Sequence, residues 1–505
     1  MDTLLYSCAQ IRAIEGAAQA RLAPAGLGHV PLMERAGSAA AHFALELLGG
    51  GAAGAALVLA GPGNNGGDGL EVAAHLARRG IAVETVHLAG ENPPSPEAGR
   101  ALERARAAGV RFIDEIPAGR PWRLVVDALF GIGLARPLAG RARALAEWTA
   151  GVDCPVLALD VPSGLDADTG AVVGKSVGPG GAAVRATHTI TFLGNKPGLH
   201  TGDGCDYAGI VRVDGLGAEG VHAESAQACL NGGALFSACL LPRRRNSHKG
   251  SFGDVAVLGG AHGMLGAAVL AARAALYGGA GRVFAAMLDA PGIGLDPSQP
   301  EIMFRDAAGV AFDQRTVVAG PGMGDSGTAI GLFGKVLDAK GPLVVDADAL
   351  NLTAASRALQ ERLAAHGGPA VLTPHPLEAA RLLGVTAAIV QADRLENARE
   401  LAMRLNAVVV LKGAGSVIAR PDGFAAVNTT GNPGLATGGS GDVLAGLTGA
   451  LLAQGWPAWE AALGAVWMHG AAADRLVAQG VGPIGLTAGE LPRAIRSVLN
   501  ELVTS

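Results

Sequence analysis

Between residues 55 and 215 the chain alternates short apolar runs with longer stretches in which Ala and Leu are interleaved with Arg and Glu. The runs are AALVLAG, IAVETVHLA, WRLVVDALFG, CPVLALDVPSG, HTITFLGNK and GIVRVDGLG. The first four stand roughly a helix apart, the pattern of repeated strand–helix units that build a parallel sheet covered on both faces. Ahead of them, residues 9–20 and 31–49 read as helices packing on that sheet. A second series follows with FGDVAVLGG, GRVFAAM, RTVVAGPGMG, PLVVDADALN, PAVLTPHPLE and AVVVLKGAGSV, then GFAAVNTTGNPGLATGGSGDVLAGLTGALLAQG. Residues 216–246 break the rhythm with small and polar residues that end in Arg243, Arg244 and Arg245. The expected fold is therefore α/β, with two doubly wound domains at 1–218 and 241–505 and a linker at 219–240.

Length agrees with that division, because 505 residues exceed what one hydrophobic core normally serves. The net charge of -5 and pI near 6.2 exclude a binder that grips nucleic acid through excess Lys and Arg. The arginine run could hold a phosphate, but a solvated linker accounts for it more simply. Five cysteines without a C-x-x-C pair indicate neither a disulfide framework nor a zinc site, and suit a reducing cytoplasm. Asp2, Arg12, Glu15 and Arg21 interrupt the N-terminal apolar residues, so no secretory signal is expected there, and no segment has the apolar length of a membrane helix. The 77 glycines are spread along the chain and form no low-complexity tract.

The first strand runs into GPGNNGGDG, where Gly61, Gly63 and Gly66 have the G-x-G-x-x-G spacing of a dinucleotide fingerprint. Asn64, Asn65 and Asp68 argue against a redox cofactor, since a carboxylate there repels a pyrophosphate. Later strands end in Asp127, and in Asp160 with Ser163, on the same edge of a parallel sheet. Such oxygens can coordinate a hard cation or move protons. Asn, Asp and Ser with few acids favour a weakly held monovalent ion over calcium. Helix capping is the alternative for Asp68 alone, but it does not explain three strand ends together.

In the second series Gly438, Gly439, Ser440 and Gly441 stand immediately before Asp442 and an apolar helix. Backbone N–H groups at a helix N-terminus bind anions, and an aspartate beside them can take a proton from a hydroxyl as phosphate arrives.

GPGNNGGDG, VVDALFGIGL and DVPSGLDADTG together resemble the NAD(P)H-hydrate epimerases over nearly all of residues 1–215. The resemblance implies a Rossmann-like domain in which Asn64, Asn65, Gly66, Gly67 and Asp68, with Gly131, Ile132, Gly133, Leu134, Ala135, Arg136 and Pro137, contact the hydrated nucleotide. Asn65, Asp127 and Ser163 would bind potassium, and Asp160 would be the acid/base at the epimerising carbon. Leu70 stands where many relatives carry an aromatic residue.

HKGSFGDVAVLGGAHGMLGAAVLAA, GPGMG, VVDADALN, TPHPLEAARLLG and VVLKGAGSV resemble the nucleotide-dependent NAD(P)H-hydrate dehydratases, a ribokinase-like family, over about 240–500. The resemblance implies that Ala267, Gly322, His375 and Asp442 contact the hydrate, while Lys412, Gly413, Ala414, Gly415, Ser416 and Gly441 hold ADP. Ser440 replaces the commoner Thr, and His262 reads as structural. The implied activity is repair of NADHX and NADPHX: the first domain interconverts the R and S hydrates, and the second dehydrates the S form at the expense of ADP, giving AMP and phosphate, with magnesium as a further cofactor. A cytoplasmic homo-oligomer without nucleic-acid or membrane partners is expected. Two rivals differ in class: a sugar or vitamin kinase with a regulatory N-terminal domain, and a non-catalytic N-terminal interaction module.

Overall fold

The computed structural model describes residues 3–22, 30–49, 54–90, 93–175, 180–218, 220, 226–288 and 294–504. The chain divides into two compact units, Met1–Cys229 and Leu230–Ser505. Both are open, largely parallel α/β sheets, as the alternating pattern predicts.

In the first unit seven strands, all parallel, lie in the spatial order Arg111–Phe112, Ala82–His87, Ala55–Ala60, Trp122–Ala128, Val156–Leu159, His188–Phe192, Ile210–Asp214. Every residue of Ala55–Ala60 is buried. Ala56, Val58 and Ala60 join the core under helices Leu32–Leu48 and Asn64–Arg78, while Leu57 and Leu59 pack with Leu145 and Ala146 of helix Gly140–Thr149 on the other face. Period-two alternation on a strand covered twice leaves no polar position, which is why the run is continuous. The strand sequence reverses direction between Ala55–Ala60 and Trp122–Ala128, and at such a switch the outgoing loops diverge and open a crevice. Asn64–Arg78 lies close to its neighbours because it carries glycines. A Cβ at Gly69 would fall 2.4 Å from Ala128 Cβ, and one at Gly67 would fall 2.7 Å from Met33 Cε.

In the second unit the order is Ala425–Asn428, Val417–Ala419, Val408–Leu411, Ala370–Leu372, Leu343–Val345, Thr316–Ala319, Asp254–Gly259, Arg282–Met287, Met303–Asp306. The Val408–Leu411, Val417–Ala419 and Ala425–Asn428 pairings are antiparallel and the others parallel. Its switch point lies between Asp254–Gly259 and Thr316–Ala319. Helices Leu265–Tyr277 and Ser440–Ala453 approach so closely that a Cβ at Gly446 would stand 2.0 Å from Ala271 O.

The segment 219–240, expected to be a linker, is in large part packed structure. Residues 219 and 221–225 lie outside the described residues. Ala228–Asn231 is a strand, and Asn231 Nδ2 donates to Asn428 Oδ1 and Leu463 O, each at 3.0 Å. Phe236 is fully buried, its ring centroid 6.1 Å from those of Trp456 and Trp467. One buried ring anchors a stretch whose small, polar composition suggests a spacer. Arg243 is also engaged, lying 3.7 Å over the Phe252 ring and donating to Gln454 Oε1 at 2.8 Å.

Candidate functional site

In the first unit the loops leaving Ala55–Ala60 and Trp122–Ala128 line a cavity of about 440 Å³. Asn64, Asn65, Asp68, Gly131, Ile132, Gly133, Leu134 and Asp160 face it, with Arg12, Glu15 and Glu97 from neighbouring helices. Gly66, Gly67, Ala135, Arg136 and Pro137 are not among the lining residues. Gly66 instead lets the helix start close under the strand end, since a Cβ there would lie 1.9 Å from Gly61 O. Asp68 is not a cap: helix Asn64–Arg78 begins four residues earlier, with Gly63 at its N-cap. Burial first, then the charges of Asp160, Glu15, Glu71 and Glu97, push its carboxyl well above the usual range.

Asp160 follows strand Val156–Leu159 in a left-handed conformation, φ +67°, its N–H donating to Ile190 O at 2.7 Å. Asp tolerates this region better than most residues. Its Oδ1 lies 2.8 Å from Lys196 Nζ and its Oδ2 accepts from Ile132 N at 3.3 Å. A Cβ at Gly131 would meet Asp160 Oδ2 at 2.9 Å and Asn65 Oδ1 at 3.5 Å, so the glycine lets both side chains converge over that loop.

Asp127 is 0% exposed. It accepts from Ser163 N at 2.8 Å, Ser163 Oγ at 2.7 Å and Leu129 N at 3.2 Å. Burial outweighs these bonds and pushes its carboxyl up to about 6. Both side-chain polar atoms of Asn65 are buried without a partner among the described residues. A buried acid served by neutral donors, with an unsatisfied amide, suits a monovalent cation. No group of three or more His, Cys, Asp or Glu with metal-binding geometry occurs among the described residues.

In the second unit Gly322, φ +58°, brings its loop against helix Leu265–Tyr277: a Cβ there would lie 2.4 Å from Met264 O and 3.2 Å from Ala267 Cβ. Lys412, at the end of Val408–Leu411, pairs with Asp346 Oδ1 at 2.8 Å. Burial works to lower the Lys412 pKa, but Asp346 and Glu378 outweigh it and the net shift is upward. Gly441 stands beside this pair, its Cβ position 3.2 Å from Lys412 Nζ and 4.0 Å from Asp346 Oδ2. Asp442 lies in the first turn of Ser440–Ala453, and burial, reinforced by Asp346, pushes its carboxyl up to about 7. Ser440 Oγ donates to Leu435 O at 2.8 Å, so that hydroxyl shapes the loop. Ser416 Oγ accepts from Gly413 N at 3.2 Å and closes the turn that carries Ala414 and Gly415.

His375 is the N-cap of helix Pro376–Leu383, with Nδ1 accepting from Leu377 N at 3.1 Å and Glu378 N at 3.3 Å. Glu378 Oε2 accepts in return from His375 N at 2.8 Å. Burial, then Lys412, lowers the His375 pKa; the imidazole is neutral and, with Nδ1 accepting, its proton is assigned to Nε2.

Sequence reasoning missed Lys196, Asp346, Glu378 and Arg394. The motifs VVDADALN and TPHPLE contain Asp346 and Glu378, but nothing local says which acid faces the site. Ala347, φ +47°, turns the chain so that Asp346 reaches Lys412 while Asp348 Oδ2 accepts from Gly324 N at 2.8 Å. Arg394 is 1% exposed and donates to Leu411 O at 3.1 Å, directly under Gly413.

A family model described as NAD(P)H-hydrate dehydratase matches residues 255–496, and one described as YjeF-related protein N-terminus matches residues 30–198. The bifunctional NAD(P)H-hydrate repair enzyme Nnr of Escherichia coli strain K12 is 38% identical over 459 residues, covering 89% of this chain and 85% of that protein. The protein of the same name from Coxiella burnetii is 38% identical over 514 residues, covering 99% of this chain and all of the relative, 100%. An ADP-dependent (S)-NAD(P)H-hydrate dehydratase of Neisseria meningitidis serogroup B is 44% identical over 287 residues, covering 56% of this chain and 97% of its own. With the likeness running through both units, the chain belongs to the family of bifunctional NAD(P)H-hydrate repair enzymes.

Proposed function

We propose that this chain repairs hydrated NADH and NADPH in two steps, one in each unit. The first unit interconverts the R and S hydrates, with Asp160 moving the proton at the epimerising carbon. The second dehydrates the S hydrate at the expense of ADP. The observation that carries the reading is one carboxylate at each site: Asp160 facing the cavity beside Asn65, and Asp442 in the first helical turn next to Gly441, which stands beside the Lys412–Asp346 pair.

In the second unit Asp442 takes the proton of the hydrate hydroxyl as its oxygen bonds to the β-phosphorus of ADP and AMP leaves. Lys412 and the N–H groups at the start of Ser440–Ala453 hold the charge on the transferring group. The carbon–oxygen bond of the phosphate ester then breaks and phosphate departs as the ring nitrogen donates its electron pair, and loss of a proton from the neighbouring carbon restores the double bond. Asp346 and Glu378 are the hard oxygen donors that would suit magnesium accompanying the nucleotide. In the first unit Asn65, Asp127 and Ser163 would hold potassium, whose charge would satisfy the buried Asp127 carboxylate. Cytoplasmic location and self-association go with this reading and are checked by cell fractionation and sedimentation.

The deciding experiment supplies a mixed R/S hydrate of NADH with ADP and follows the recovered dihydronicotinamide absorbance. Complete conversion supports both steps; arrest near half means the first unit does not epimerise. A stable phosphorylated product would favour a kinase instead.

A further inference from the structure

Lys196 lies on the loop after strand His188–Phe192 and is 0% exposed. Its ammonium is 2.8 Å from Asp160 Oδ1, and donates to Thr191 Oγ1 at 2.6 Å, Phe192 O at 3.1 Å and Gly194 O at 3.2 Å. Four acceptors saturate a group with three protons, so Lys196 has none left for a ligand. Its partner is placed differently. The Asp160 side chain is 15% exposed, and its Oδ2 turns to the cavity loop at Ile132 N. Burying an ammonium is costly unless it is paired and hydrogen-bonded. Here that arrangement ends on a carboxylate that also borders the cavity.

We propose that Lys196 is a positioning residue for epimerisation: through Oδ1 it fixes the Asp160 carboxylate with Oδ2 toward the cavity and makes it the proton acceptor there. The proposal rests on the role given to Asp160 above. The charged groups around the cavity are Arg12 and Glu15 on helix Cys8–Leu22, Asp68 on Asn64–Arg78 and Glu97 on Pro96–Ala107. Acids outnumber the single guanidinium, and Lys196 supplies the positive charge that offsets them. Without it, Oδ1 would lose its ion pair, and a reaction that needs Oδ2 held toward the cavity would lose rate.

The test measures kcat and KM of epimerisation in the full chain for Lys196→Met and Lys196→Arg, with folding followed by circular dichroism. Lys196→Met should lower kcat roughly 10-fold or more and leave KM nearly unchanged. Lys196→Arg keeps the charge beside Oδ1 and should lose less rate than Lys196→Met. Asp160→Asn/Lys196→Met should be no slower than Asp160→Asn, because a residue acting only through Asp160 has nothing left to act on. A parental rate in Lys196→Met, or additive losses in the double variant, would overturn the proposal while leaving Asp160 in its role. If Lys196→Met does not fold, Lys196→Arg decides: a loss of kcat that Asp160→Asn/Lys196→Arg shows again beyond Asp160→Asn overturns the proposal, and retained kcat or a loss absent from that double variant supports it. Undiminished epimerisation in Asp160→Asn would overturn the role of Asp160, and this proposal with it.

Discussion

The proposed function puts the chemistry on Asp442 and Asp160, and their surroundings give different expectations. With its carboxyl pushed up to about 7 by burial and Asp346, Asp442 is a base only when ionised. ADP-dependent dehydration should therefore fall as pH drops through about 7, and a kcat/KM profile level down to pH 5 would contradict this. Glu378, also pushed up to about 7, first by burial, titrates in the same range, so Asp442→Asn is the cleaner probe. It should cost roughly 10²-fold or more in dehydration rate while R and S hydrates still equilibrate by chromatography. Asp160→Asn should cost epimerisation as much and spare dehydration of the S form. The positions of Asp160, Asp127, Ser163 and Asp442 at the strand ends, the loop after one of them and a helix start were legible in the sequence because each sits in a distinctive motif. Lys196 was not, because a lysine after an apolar strand is ordinarily solvated and only the folded chain closes four acceptors around it.

Among the elements, the helix Asn64–Arg78 and the loop that feeds it explain why a dinucleotide-like fingerprint occurs at this site. Gly61 and Gly66 are fixed by packing: a Cβ at Gly61 would lie 1.7 Å from Leu129 O, and one at Gly66 would lie 1.9 Å from Gly61 O. Backbone cannot give way cheaply, so Gly66→Ala should destabilise the first unit by about 1–3 kcal/mol and stop epimerisation. Nothing lies within 4 Å of a Cβ at Gly63, whose φ of -97° any residue adopts. Gly63→Ala should melt at the parental temperature. In a redox dinucleotide site the middle glycine is where the pyrophosphate approaches, so Gly63→Ala that also keeps epimerisation separates the two uses of the motif. The glycine spacing could be read from the sequence. Which glycines are structural could not, since Leu129 O, which Gly61 avoids, comes from distant chain, and Gly61 O, which Gly66 avoids, comes close only through the turn of the loop.

At the scale of the whole molecule, each unit carries its own sheet, its own switch point and its own carboxylate, so the two activities should separate and recombine. On a mixed hydrate, Asp160→Asn should show a fast phase covering the S form and then a slow tail, and Asp442→Asn should recover almost nothing. Mixing the two variant proteins should restore full conversion, because the hydrate released by one can enter the other; continued arrest would mean that the sites must share a chain. Replacing potassium by sodium should slow epimerisation, and equal rates in the two salts would remove the cation from the proposed site. The sequence by itself determined the two α/β series, the motifs at their strand ends and the family likeness, because periodicity and strand-end chemistry are local properties of the chain. Only the tertiary structure decided that 228–240 is packed on Phe236, that Asp68 lies inside a helix, and that Lys196 meets Asp160 and Asp346 meets Lys412. Those pairings depend on how far the strands project and which way their loops turn at the switch points, and no stretch of sequence carries that geometry alone.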